Sequence, residues 1–452
     1  MKFSKNLFIS LIVLFLSFSI IKPIDLPAFY RTTEQQGIPK YDVDDWTTFI
    51  EARYRSGSTR NGFNGSDNTT SILNIYGLVD VNNLAMNLEG LTASSKPTTW
   101  YCLNENSAAG QRGTIPQLNF TGNNGKIKLT GKATINEFNV EFQQNLFNGV
   151  FVRGLIPFRS VKVNNIGYTD QTMTWTTGYT TFDNFMTNSF DTVLDENGYL
   201  PLLTTFKKSS VGDINLCVGW QGYGKNVLKH LKDLFGYVEL GVVLPIAQEK
   251  KLDNVAAVPI GYNGHIGVDG RFSLNVKPFK MLDLGFHGEA IILFGNQQQI
   301  RLKTDKTQSG IIILEKGNAD VNPGTIWGVG VNATFTPFLK GLFFRGSYSF
   351  TRQEQTILTI KDDNYLKTVL QGETRTTVDQ TSQNDVANSD DQLQAWNQHA
   401  IHAQFGFDVR AQTNAKVAPK FFVSYDYPFY GKRSWKTDMI GGTIGLNVTW
   451  DF

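Results

Sequence analysis

The chain is poor in the residues that anchor most soluble enzyme classes. Of its 452 residues, 2 are cysteine and 5 are histidine. Two cysteines permit one disulfide and exclude a disulfide-rich scaffold. Charge is nearly balanced, with 42 Lys and Arg against 40 Asp and Glu. There is no basic surplus for nucleic acid or a polyanionic substrate. Beyond the N-terminal leader no apolar run approaches the ~20 residues of a spanning helix, which excludes a helical membrane protein. Gly222-Tyr223-Gly224-Lys225 lacks the spacing, and the following Ser or Thr, of a phosphate-binding loop. His399 and His402 have a spacing that serves zinc on a helix, but on a strand they point to opposite faces. No metal, cofactor or catalytic residue is predicted, and the chain reads as a non-enzyme.

What is present is export and alternation. Lys2 and Lys5 precede an apolar stretch at 7–16 and the small residues at 17–19, the pattern of a secretory signal peptide over 1–19. Residues 20–44 are expected to be a periplasmic segment, and 45–452 a single domain. From about residue 45 onward, apolar residues recur at every second position. The resulting strands span 46–55, 126–145, 149–162, 213–224, 235–247, 265–276, 282–293, 325–336, 342–352, 398–410, 417–427 and 440–452. Most run to about ten residues or more, longer than the ~5–6 of soluble sheets and near the ~9–11 of a tilted membrane strand. Links within pairs are mostly short and links between pairs mostly long, an asymmetry that membrane barrels share. A transmembrane up-and-down antiparallel β-barrel of twelve strands follows. Fourteen would result if 71–80 contributed further strands; 299–304 and 310–315 form either a hairpin above the membrane or another pair within it. A soluble two-sheet sandwich has the same alternation and is the competing fold.

One face of the strands is apolar and the other is charged. The charged face supplies the candidate pore lining: Glu51, Arg53, Arg55, Glu141, Arg153, Arg159, Glu239, Asp269, Arg271, Asp283, His287, Glu289, Arg345, Asp408 and Arg410. Opposed walls of unlike charge would set a transverse field across a constriction; mutual neutralisation is the other arrangement. Trp46, Tyr54, Trp220, Tyr237, Trp327, Tyr425, Tyr427 and Trp450 suit interfacial girdles.

The chain ends with Ile444, Leu446, Val448, Trp450 and Phe452 alternating with Gly445, Asn447, Thr449 and Asp451. This strand resembles the C-terminal strand of bacterial outer-membrane β-barrel proteins, porins among them. The resemblance implies an outer-membrane location and recognition of Phe452 by the barrel-assembly machinery. It also implies contact with outer-membrane lipid and lipopolysaccharide, and passage of small polar solutes or ions. Outer-membrane phospholipases share the twelve-strand architecture but place His-x-Ser on one strand. None of His230, His265, His287, His399 and His402 is followed by Ser two residues on. The alternative is a barrel with a closed lumen that acts as an enzyme, adhesin or structural protein through its long outer loops.

Two of those loops stand out. The loop at 56–125 could plug the lumen, tethered by a disulfide between Cys102 and the lumen-facing Cys217. The loop at 353–397, with Asp379, Asp385, Asp390 and Asp391, could bind divalent cations at the lipopolysaccharide surface or be simply solvated.

Overall fold

The structure is a computed structural model and describes residues 46–81, 100–102, 113–115, 126–171, 186–188, 190–196, 198–228, 231–303, 306, 308–336, 341–361, 380–409 and 416–450. The barrel strands are β1 (Trp46–Thr59), β2 (Lys126–Asn145), β3 (Val150–Asp170), β4 (Ile214–Leu228), β5 (Leu231–Leu244), β6 (Gly267–Phe279), β7 (Leu282–Leu293), β8 (Ile326–Phe335), β9 (Leu342–Gln353), β10 (Trp396–Asp408), β11 (Val417–Lys432) and β12 (Met439–Trp450). Each pairs antiparallel with its neighbours in this series. The ring closes where β1 meets β12, from Trp46 opposite Trp450 to Gly57 opposite Met439. At the β2–β3 turn, Asn148 and Gly149 both take positive φ, 51° and 81°, as a tight hairpin whose twist matches its strands requires.

Burial along the strands runs opposite to that of a sheet in water. In β1 the apolar Ile50 and Tyr54 are 47% and 50% exposed, while Glu51 and Arg53 between them are 3% and 7% exposed. Phe142, Val218, Leu240, Phe286, Phe405, Val423 and Ile444 continue the exposed apolar belt around the ring. A continuous belt of this kind is stable only against hydrocarbon, so the domain is a transmembrane barrel. Trp46 and Trp450 mark its short-turn rim, with the Trp450 indole donating to Thr48 Oγ1 at 2.8 Å. Tyr54 and Tyr425 mark the other rim, the Tyr54 hydroxyl donating to Asn136 Oδ1 at 3.0 Å. Tyr237 does not belong to a girdle: it points inward and is buried.

The membrane boundary is written in β2 and β3 as a reversal of polarity. Phe138 and Phe158 face outward on the lipid side of the boundary. Beyond them the outer face becomes Asn136, Thr134, Lys132, Lys128 and Lys162, whereas the inner face becomes Ile135, Ala133, Leu129, Val161 and Val163. The strands thus outgrow the bilayer and become ordinary amphipathic sheet, extended by Val79–Asp80 on one side and Phe206–Val211 on the other. The long connections condense on the inner face of this extension. Ile72, Leu73 and Ile75, then Phe190 and Leu194, Val255 and Ile260, Ile312 and Leu314, and Trp435 share one buried cluster with Ile127, Leu129, Val161 and Val163. This cap packs on the inner face of β2 and β3 at the long-loop end of the barrel.

The structure settles the strand number at twelve in the barrel. Only Val79–Asp80 of the 71–80 stretch joins the sheet. Ile72, Leu73, Ile75 and Tyr76 are all buried, without the alternation a wall strand needs. The hairpin near 299–315 lies outside the barrel: Asn296–Arg301 pairs with Lys316–Asn322, and Ile357–Ile360 completes a three-stranded sheet. The signal peptide, residues 20–44, Asp379, Arg410 and Phe452 lie outside the described residues.

Asp390, in the 353–397 loop, is buried and accepts from the Gln392 backbone N–H at 3.0 Å. Desolvation by burial lifts its pKa from 3.8 to about 7, against the opposing pull of that hydrogen bond. The folded loop therefore holds a proton that the unfolded chain releases. Its stability is greatest below about pH 4 and falls as pH rises toward about 7. Amide-exchange protection of residues 380–395 should drop between about pH 5 and pH 8, and Asp390→Asn should remove that dependence. A second expectation concerns the belt. Ile444→Arg should cost about 2–4 kcal/mol in vesicle unfolding titrations, whereas Lys162→Gln, beyond the boundary, should stay within about 0.5 kcal/mol.

Candidate functional site

The lumen wall is built by strand parity. Because side chains alternate, the residues two apart from each inward charge also point inward. Glu51, Arg53, Arg55, Glu141, Arg153, Arg159, Glu239, Asp269, Arg271, Asp283, His287, Glu289, Arg345 and Asp408 all fall on the inner face. Register then decides which of them meet. On β5, β6 and β7, Arg271 lies directly opposite both Glu239 and Glu289. Its guanidinium reaches Asp269 at 3.0 Å, Glu239 at 3.2 Å and Glu289 at 3.4 Å. Arg153 of β3 bonds Glu239 and lies 3.6 Å from Glu141.

A second network crosses β1, β2 and β3. Arg55 faces Glu137, which in turn faces Arg159. The pairs close at 2.7 Å and 3.1 Å. Arg55 also holds Asp426 of β11 at 3.1 Å. Glu51 is shared by Arg53 at 2.7 Å and Lys420 at 3.7 Å. The lumen charges are therefore interleaved pairs rather than two separate walls of opposite sign. Most of these groups are buried, so the pairs of Arg55, Glu239 and Arg271 hold only while both members are present.

Other inward polar atoms have no hydrogen-bond partner among the described residues. They include both amide atoms of Gln221, both ring nitrogens of His287, Ser424 Oγ and Thr443 Oγ1. Buried polar atoms of this kind are satisfied by water. Toward the short-turn end the lumen carries aromatics instead. Phe151, Phe235 and Tyr237 form a buried cluster, with the Phe151 and Tyr237 rings 6.4 Å apart. Phe343 and Phe422 pack edge-on at 6.1 Å.

Sequence reading missed these inward aromatics because it assigned aromatics to lipid. The parity of Phe235 and Tyr237 with Glu239 was the available signal. It also missed a hydrogen-bonded row across β9, β10 and β11. Ser349 Oγ lies 2.8 Å from His402 Nε2, and His402 Nδ1 lies 2.9 Å from Asp426 Oδ1. No local motif announces this row, since the three residues sit on different strands.

The expected Cys102–Cys217 disulfide falls on a side chain, that of Cys102, outside the described residues. Cys217 is a buried free thiol, with Sγ 3.8 Å from each carboxylate oxygen of Asp269. Its environment is the Arg271 network, which the β4 register brings to it. His399 stands among outer-face aromatics, 2.8 Å from the Tyr348 hydroxyl, whereas His402 points inward.

No known protein family and no curated protein matches the chain. Among solved structures, an outer membrane channel from Pseudomonas putida F1 is similar at 9% identity and a TM-score of 0.45, over 93% of this chain and 100% of that one. The translocator domain of the autotransporter NalP from Neisseria meningitidis gives 9% identity and 0.31, over 90% and 88%. A FadL homologue of Pseudomonas aeruginosa gives 7% and 0.27, over 90% and 91%. The barrel assignment rests on the strand pairing of the chain itself.

The buried networks give a direct expectation. Arg271→Leu strands Asp269, Glu239 and Glu289 around an apolar side chain and should destabilise the barrel by about 3–5 kcal/mol. Urea midpoints in vesicles, read with the heat-shifted gel mobility of folded barrels, measure the loss.

Proposed function

We propose that the chain is an outer-membrane channel that lets small polar solutes or ions diffuse along its lumen. The observation that carries this reading is the set of inward polar atoms without a partner among the described residues, headed by Gln221 and His287. Such atoms call for water inside the ring, and a hydrated lumen inside a lipid-facing wall is a path across the membrane. The exported leader and the C-terminal strand pattern support the outer membrane as its location.

One lumen network favours one sign, whereas that of β1, β2, β3 and β11 sets Arg53, Arg55, Arg159 and Lys420 against Glu51, Glu137 and Asp426. In the network of β2 to β7, two guanidiniums, Arg153 and Arg271, face four carboxylates, Glu141, Glu239, Asp269 and Glu289. A surplus of negative charge on a constricted wall favours cations. The inward aromatics toward the short-turn end restrict passage to small species. The apolar cap makes the closed state the resting one, and conduction follows its displacement.

In planar bilayers the protein should give rare, cation-selective openings. Replacing Ile72 and Leu314 of the cap by Asp should raise the open probability at least about tenfold, because each buries a carboxylate in an apolar cluster. Silent membranes with both proteins, each shown to be folded, would contradict a channel role.

A further inference from the structure

We infer that the lumen carries a serine ester-hydrolase centre formed by Ser349, His402 and Asp426, with His287 as its oxyanion donor. The three strands β9, β10 and β11 deliver the three groups in order. His402 lies directly opposite Asp426, and Ser349 sits one position diagonal to it on the inner face. Asp426 Oδ1 accepts a hydrogen bond from His402 Nδ1–H at 2.9 Å, which fixes the tautomer and leaves the Nε2 lone pair toward Ser349. The Ser349 hydroxyl then donates to Nε2 at 2.8 Å. Nucleophile, base and orienting carboxylate are thus joined in the arrangement that activates serine on unrelated folds.

Two features separate this row from an ordinary hydrogen-bond ladder. First, the carboxylate is held on both oxygens: Arg55 Nη1 grips Asp426 Oδ2 at 3.1 Å, and Glu137 pins Arg55 at 2.7 Å. The imidazole therefore has a fixed support rather than a rotating one. Second, Gly330 of β8 lies opposite both Ser349 and His287. A Cβ at Gly330 would collide with His287 Nε2. The missing side chain lets the His287 ring lean over β8 toward Ser349. Both His287 nitrogens lack a partner among the described residues, and the ring is buried. A neutral imidazole keeps one N–H, so an unused donor stands across Gly330 from the nucleophile. A donor idle in the resting state and aimed where negative charge would develop is the requirement of an oxyanion hole.

The substrate class is a small carboxylic ester, because the side chains joined to the row, Arg55 and Glu137, are charged and suit no long acyl chain. Ser349 Oγ attacks the ester carbonyl carbon as its proton passes to His402 Nε2, and the carbonyl oxygen becomes an oxyanion facing His287. The C–O bond to the alcohol then breaks, and the departing alkoxide takes the proton from His402. Water, deprotonated by His402, attacks the acyl-serine; the carboxylic acid leaves and Ser349 recovers its proton. This centre needs the hydrated lumen of the channel reading but not conduction, so the two are tested apart.

The test uses the full chain refolded in detergent, its barrel verified by heat-shifted mobility. Two readouts apply: hydrolysis of p-nitrophenyl acetate, and covalent labelling by a fluorophosphonate probe with peptide mapping. The expected result is an adduct on Ser349. Ser349→Ala should abolish the adduct and slow hydrolysis at least about 100-fold, and His402→Ala should cost about 10²–10⁴-fold. His287→Ala should lower kcat about 10²–10³-fold with little change in KM. An adduct mapping elsewhere, or equal hydrolysis by folded Ser349→Ala and the parent, would overturn the proposal whether or not the barrel conducts. Conductance without hydrolysis would remove this centre and leave the channel reading standing.

Discussion

Hydrocarbon offers no partner for a backbone N–H or C=O, and the pairing of β1 with β12 is the contact on which everything else depends. Without it two strand edges would lie open in lipid, each unpaired group costing several kcal/mol. With it, every wall strand is bonded on both sides. Ring closure also gives the wall two faces of opposite demand. The outer face must be apolar along the bilayer and the inner face must be polar, so one sequence period of two specifies both. The reversal of polarity at Asn136 and Ser160 shows the same rule from the other side. As soon as the strands leave hydrocarbon, their outer residues become Lys and Thr and their inner residues become a core for the cap.

The inner face meets a second constraint. Charges enclosed by a wall of about twelve strands are crowded, and buried charges persist only when paired. The chain resolves this through register, placing Arg271 opposite Glu239 and Glu289, and Glu137 between Arg55 and Arg159. Among the described residues, amide, hydroxyl and imidazole atoms of Gln221, Ser424, Thr443 and His287 are left without a protein partner, and water can serve them. The lumen thus combines rigid charge pairs, water and one polar row at Ser349. Solute passage and ester chemistry make use of different members of that set.

Much of this was legible in the sequence because period-two alternation reports which face a residue occupies. Parity alone puts Glu51, Arg153, Asp269 and His287 on the inner face, and the twelve strands lie near their predicted spans except at the far ends of β1, β3 and β11. What was not legible depends on register and on the ends of strands. Alternation says that Ser349, His402 and Asp426 share a face, but only the pairing of β9, β10 and β11 says that they touch. The same limit explains why the charges were read as two possible walls rather than interleaved pairs. The extension of β3 beyond 162 escaped because its apolar Val161 and Val163 face inward, that of β1 beyond 55 because Ser56–Thr59 holds no apolar residue to mark a period, and that of β11 beyond 427 because a register shift breaks its alternation. The cap escaped because Ile72, Leu73, Ile75 and Tyr76 follow one another without a strand period. Parity puts Cys217 on the inner face, but only register brings its thiol beside Asp269.

The most direct measurement of the account is a nitroxide scan along β12 in lipid vesicles, after both native cysteines are replaced by serine. Labels at Ile440, Ile444 and Leu446 should be relaxed by oxygen dissolved in the bilayer, and labels at Thr443, Gly445 and Asn447 by a water-soluble nickel complex, in strict alternation. Equal access of the nickel complex to both sets would mean that the apolar face meets water, and the lipid-facing barrel with a hydrated lumen would be contradicted.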